Sequence, residues 1–202
     1  INNNLTNEIT QNWNLTVWEN TSQNSYTYDA GNNQLSFLQQ DWNGSVWVNS
    51  YLQTSTYDVS NNPISELYQD WNGVSWANLL LYTNTYDVNN NPISYLVQDW
   101  DGASWRNLNL YSYTHNANDY LTNEIDQHWD SIAWVNVLQF VYTYDANNNL
   151  TNYLPQFWNG TMWDNNDQNI FSYDASRNRI SDLHQIWNGL LFMNADSTHF
   201  YY

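Results

Sequence analysis

The chain's 202 residues include 20 acidic and three basic side chains (Arg106, Arg177 and Arg179), giving a net charge of −17, with neither lysine nor cysteine. Phosphates and anionic headgroups require clustered Lys and Arg, so nucleic acid is excluded as a partner and an anionic membrane surface is disfavoured. No disulfide can form, and no apolar run reaches the roughly 18 residues of a membrane-crossing helix, so no membrane span is expected.

The first element in chain order precedes Trp13. Asn7, Ile9, Gln11 and Trp13 fall on one side of a period-two alternation, and Thr6, Glu8, Thr10 and Asn12 on the other. Such alternation, rich in aromatic and β-branched residues, predicts a strand. One period later Ser36, Leu38, Gln40 and Trp42 keep the first set almost unchanged, while Leu35, Phe37, Gln39 and Asp41 show that the second set drifts. A short turn follows, written Asn43-Gly44, Asn72-Gly73, Asp101-Gly102, Asn159-Gly160 and Asn188-Gly189 in later copies. Asn-Gly and Asp-Gly are strong hairpin signals because both residues tolerate positive φ. The next strand is predicted with Trp47, Asn49, Tyr51 and Tyr57 sharing a face. A longer turn closes the unit: Asp-Ala-Gly-Asn-Asn at 29–33, with copies at 58–62 and 145–149.

This hairpin is written seven times at a 29-residue period without insertion or deletion. The leading tryptophans are Trp13, Trp42, Trp71, Trp100, Trp129, Trp158 and Trp187; the second aromatics are Trp18, Trp47, Trp76, Trp105, Trp134, Trp163 and Phe192. Gln11, Gln40, Gln69, Gln98, Gln127, Gln156 and Gln185 stand two residues before the first ring. Asn20, Asn49, Asn78, Asn107, Asn136, Asn165 and Asn194 stand two after the second. A period this strict marks stacked supersecondary units. The expected fold is all-β: a tandem antiparallel β-hairpin repeat array of about fourteen strands, solenoid-like or a coiled sheet. It forms a single array, with units at about 1–28, 29–57, 58–86, 87–115, 116–144, 145–173 and 174–202. If Trp13 faces Trp18 across the short turn, Gln11 faces Asn20, and buried amides must be hydrogen-bonded. The fourteen amides are therefore expected to form a structural ladder, and the thirteen tryptophans an aromatic core. Leu79, Leu81, Leu108 and Leu110 are placed on the opposite face, which suggests burial on both sides in the middle units. Neither end is strongly divergent, so we expect a mature, processed chain or a window from a longer array.

Tyr26-Thr-Tyr-Asp29 and Tyr142-Thr-Tyr-Asp145, each followed by an Asn-rich turn, resemble the YD repeats of RHS-type proteins. Other units keep part of the motif, as in Tyr57-Asp58, Tyr86-Asp87 and Tyr173-Asp174, while the fourth has His115-Asn116. The added Trp-Asn-Gly-x-x-Trp-x-Asn block is similar to secreted repeat proteins of Bacteroidota. The resemblance implies an extracellular or cell-surface β-hairpin array. Asn32, Asn61, Asn90 and Asn148 replace the glycine of the RHS consensus turn and its following arginine is missing, so a closed toxin-enclosing shell is not implied.

The four histidines (His115, His128, His184 and His199) occupy unrelated places in the unit, so no catalytic constellation converges and no enzyme is expected. No cofactor is expected except calcium. Asp87, Asn89 and Asn91, and Asp145, Asn147 and Asn149, match the first half of a D-x-N-x-N loop, but Gln98 and Gln156 stand where a bidentate Glu belongs. An Asx-turn is the simpler account of the same residues. The expected role is a non-enzymatic structural one, in a surface fibre, stalk or adhesin. The expected partner is a second copy, in a homo-oligomer or filament. The alternative is a carbohydrate-binding module using the repeated aromatics, with glycans as partner; as a closed ring it would have blades too short for four strands.

Overall fold

The structure, a computed structural model, describes residues 3–202. Its strands are β1 (Asn7–Trp13), β2 (Trp18–Tyr28), β3 (Gln34–Trp42), β4 (Trp47–Tyr57), β5 (Pro63–Trp71), β6 (Trp76–Tyr86), β7 (Pro92–Trp100) and β8 (Trp105–His115). They continue with β9 (Leu121–Trp129), β10 (Trp134–Tyr144), β11 (Leu150–Trp158), β12 (Trp163–Asn165), β13 (Gln168–Tyr173), β14 (Arg179–Trp187) and β15 (Phe192–His199). All belong to one sheet whose hydrogen-bonded order follows the sequence, with β12 and β13 both pairing β11, and among the described residues β1 and β15 do not pair. The fifteenth strand arises where a predicted single strand splits into β12 and β13. Asn166 N–H still reaches the Pro155 carbonyl at 3.1 Å, but Pro155 has no N–H to return, so the rung fails there.

By contacts the chain divides into two compact units. One runs through Thr85 and adds Leu96–Leu108; the other holds Tyr86–Tyr95 and Asn109–Tyr202. The register is the same in both. In the first, Trp42 pairs Trp47, Asp41 pairs Val48 and Gln40 pairs Asn49, then a β-bulge skips Ser50 and Gln39 pairs Tyr51. A second bulge skips Ile64, between Thr56 opposite Ser65 and Tyr57 opposite Pro63. In the second unit Asn136 opposes Gln127, Val137 is skipped, and Leu138 opposes Asp126.

Each bulge adds one residue and so reverses the facing of everything after it. This corrects the alternation read from the sequence. Trp47 and Asn49 share the constant face, but Tyr51 lies on the drifting face beside Phe37, and Tyr57 follows it. Leu79 is itself the bulged residue, and Leu81 pairs Leu67 on the constant face. Leu110 likewise pairs Gln127.

A single-layer sheet leaves little interior. Only Val97, Ser55 and Gln168 are buried among the described residues, and no side chain is fully enclosed. The accessible surface is 12625 Å², against about 9,900 Å² for a compact monomer of this mass. Cohesion therefore comes from neighbouring strands and from side chains that cross between them.

Candidate functional site

The repeated chemistry is concentrated in the short turns, the long turns and the two faces. At the short turn Asn14 Oδ1 accepts the Thr16 and Val17 N–H groups at 3.0 and 2.9 Å. Its own N–H donates to the Val17 carbonyl at 3.1 Å. Asn43, Asn72, Asp101, Asp130, Asn159 and Asn188 repeat the pair of acceptances. The next residue alone takes positive φ: Leu15, Gly44, Gly73, Gly102, Ser131, Gly160 and Gly189. The Asn contributes its side chain rather than an unusual backbone, a division of labour the dipeptide signal did not reveal.

Beside this turn the six Trp–Trp pairs meet with ring centroids 5.1–5.5 Å apart, tilted or edge-on. Trp187 and Phe192 lie 4.8 Å apart. None of these rings is buried, and Trp13 and Trp18 are 50% and 63% exposed. Two residues inward, Gln Nε2 donates to Asn Oδ1 across the hairpin at 2.7–2.9 Å in all seven units. Amide bonds also pass between hairpins where a second amide is available. Gln23 donates to Gln40 at 2.8 Å and Gln168 to Gln185 at 2.6 Å, whereas Gln139, at the same position of the unit, donates within its own hairpin to Asn123 at 2.6 Å. In the middle units Leu52, Leu81 and Leu110 occupy that position, so the row of amides is interrupted there.

The long turn gives the Tyr-Asp pair its physical content. Asp58 Oδ1 accepts the N–H groups of Ser60 and Asn62 at 2.8 and 2.9 Å, and Oδ2 accepts Asn62 Nδ2 at 3.0 Å. Asp29, Asp87, Asp145 and Asp174 do the same, and these bonds hold all five carboxyls below the usual range. The preceding tyrosine reaches across its own hairpin to the start of the opposite strand. The hydroxyls of Tyr28, Tyr57, Tyr144 and Tyr173 donate to the carbonyls of Leu5, Gln34, Leu121 and Leu150 at 2.8–3.0 Å. Turn amides also join successive turns, as in Asn33 Nδ2 to Asn61 Oδ1 at 2.8 Å and Asn118 Nδ2 to Asn148 Oδ1 at 3.0 Å.

This arrangement bears on the calcium candidates. In Asp87 and Asp145 both carboxylate oxygens already accept N–H groups, from Asn89 and Asn91 and from Asn147 and Asn149 respectively. Asn89 and Asn91 also donate to Asp119 Oδ1 at 2.9 and 2.7 Å. Among the described residues no three His, Asp or Glu side chains gather as a metal site would require.

The drifting face carries the larger ring network. Tyr26, Phe37, Tyr51, Tyr68 and Tyr82 follow one another across five strands with centroids 5.1–6.1 Å apart. Tyr68 donates to Glu66 at 2.6 Å, and burial with that carboxylate pushes its hydroxyl far above the usual value. In the second unit Tyr142 is pushed up to about 12 by burial and then by the Glu124 charge. The sequence conceals this network because its members share a face only after the bulges are counted.

No family model and no curated protein matches the chain. Solved structures are similar to it in part. A DUF3836 family protein from Parabacteroides distasonis has a TM-score of 0.32 at 22% identity, over 40% of this chain and 74% of that one. A porin-like protein from Bacteroides uniformis has a TM-score of 0.34 at 11% identity, over 88% and 89%. A TcdB2-TccC3 structure has a TM-score of 0.43 at 10% identity, over 96% of this chain and 13% of that one. Similarity at this level assigns no activity.

Of the histidines, one has partners that the sequence does not disclose. His184 Nδ1 lies 3.1 Å from Asp196 Oδ2, and Nε2 lies 3.3 Å from Asp167 Oδ2. Its pKa is raised, first by the Asp196 hydrogen bond. The two aspartates are one period apart and flank His184, Asp167 from the break between β12 and β13 and Asp196 from β15, a pairing visible only once the bulge is in the register. No helix is long and apolar enough to cross a membrane among the described residues.

Proposed function

We propose that this chain is a non-enzymatic, extracellular structural repeat, a segment of a surface fibre, stalk or adhesin, and that copies associate with one another. The supporting observation is a set of side-chain bonds that repeats along the chain: Gln to Asn across all seven hairpins, Asp to its turn at Asp29, Asp58, Asp87, Asp145 and Asp174, and Tyr to the opposite strand of its own hairpin. These bonds fix each hairpin, and backbone rungs with turn amides such as Asn33 to Asn61 and Asn118 to Asn148 join it to the next, as a load-carrying array requires. Near-identical hairpins present near-identical edges, which supports head-to-tail association. Electron microscopy of the purified chain, with and without calcium, tests this together with light scattering. Filaments or regular oligomers are expected; discrete monomers at all concentrations would overturn the self-association. Filaments formed only in calcium would give the turn carboxylates a metal role.

A second reading has its own observation. A cleft of about 680 Å³ is lined by Gln11, Trp18, Glu19, Asn20, Trp42 and Gly44. Exposed rings beside amide and carboxylate groups suit a pyranose. Glycan-array binding that disappears in Trp18→Ala would favour a carbohydrate-binding module over the fibre.

A further inference from the structure

One hairpin junction on the drifting face holds a cation of its own. Phe171 faces Asp182 across β13 and β14. The Arg179 guanidinium lies 4.0 Å over the Phe171 ring and forms an ion pair with Asp182. Two periods earlier the same positions are Tyr113 facing Glu124 across β8 and β9, and Leu121 stands where Arg179 would be. The other neighbour of Glu124 is Phe140. Two residues along the same face, Asp126 sits between Tyr111 and Leu138. Asp126 Oδ1 is buried without a hydrogen-bond partner. Burial raises both carboxyls, and the Asp126 charge raises Glu124 further.

The protein thus repeats the ring-and-carboxylate arrangement, adds a second carboxylate, and omits the arginine. Desolvated carboxylates without a counter-charge are costly, and a cation that pairs with them recovers that cost. A guanidinium fits best: it is weakly hydrated, donates two parallel N–H bonds to a carboxylate and stacks on aromatic faces. We infer that Glu124 and Asp126, walled by Tyr111, Tyr113 and Phe140, bind the guanidinium of an arginine carried by a partner polypeptide. Arg106 and Arg179 of this chain are already paired with Asp99 and Asp182, and the net charge of −17 draws basic partners toward it.

Calorimetric titration of the whole chain with acetyl-Gly-Arg-Gly-amide and with its citrulline counterpart tests the site. Saturable binding of the arginine peptide is expected, weaker by at least about tenfold for citrulline and for the Glu124→Gln, Asp126→Asn double variant. Leu121→Arg should fill the site from within, abolish binding and raise the melting temperature, so that loss there does not reflect unfolding. The Asp41→Asn, Asp70→Asn double variant makes the same change in charge in the other unit and should bind normally. Equal binding of citrulline, equal loss in the Asp41/Asp70 variant, or no binding at all would overturn the inference.

Discussion

Replacing Leu15 by glycine should stabilise the first hairpin. Position 15 of the unit is left-handed in every copy, with φ of 79° at Leu15, 83° at Ser131 and 95–99° at the five glycines. A Cβ in that region costs about 1–2 kcal/mol. Glycine returns about 0.4–1 kcal/mol by enlarging the unfolded ensemble. The Leu15 side chain is 87% exposed, so little burial is lost with it. The difference leaves a gain of about 0.5–1 kcal/mol. Stability in a repeat array is a sum of local terms, so hydrogen exchange at the hairpin amides is a sharper readout than a global melt. Protection of the β1–β2 amides should rise about two- to fivefold. Gly73→Leu supplies the converse, because nothing lies within 4 Å of an added Cβ and only the backbone term changes. If Leu15→Gly leaves protection unchanged or lowers it, the assignment of strain to this turn is wrong.

Other consequences follow from the same geometry. Tyr57→Phe removes the hydroxyl bond to the Gln34 carbonyl and should cost about 1 kcal/mol, read as faster exchange at the β3–β4 and β4–β5 rungs. Gln69→Leu leaves the half-buried Asn78 amide without its 2.8 Å partner and should cost about 1–3 kcal/mol in a chemical denaturation series. Stability should depend on pH with two opposite signs. The depressed turn aspartates, Asp29, Asp58, Asp87, Asp145 and Asp174, stabilise the fold above the unfolded value of 3.8, and this is lost as pH falls through their folded values. The raised His184 stabilises below 6.5 and loses its contribution as pH rises through its folded value, while the raised Glu124 and Asp126 destabilise once ionised. Thermal melts from pH 3 to 8 should therefore peak in the mildly acidic range (roughly pH 5–6); a melting temperature that rises steadily to pH 8 would contradict these assignments.

Much of the array is legible in the residues alone. The strict spacing of Trp13 to Trp187, the Asn-Gly turns and the Tyr-Asp turns determine the hairpins, their number and their order. Turn chemistry and binary pattern are local, so sequence carries them directly. The cross-turn geometry of Gln11 with Asn20 follows from counting outward from one short turn. Past Asn20 the counting fails, because the bulge at Thr21 and its copies Ser50, Leu79 and Val137 adds a residue that no common side chain announces. Only the pairing of adjacent strands decides where that extra residue sits. It places Tyr51 with Phe37, moves Leu81 to the constant face, sets His184 between Asp167 and Asp196, and builds the aromatic walls around Glu124. Facing in a sheet has a period of two, so one unmarked insertion per strand reverses half of it. The repeat alone thus determined what the hairpins are, and the tertiary register decided which side chains meet.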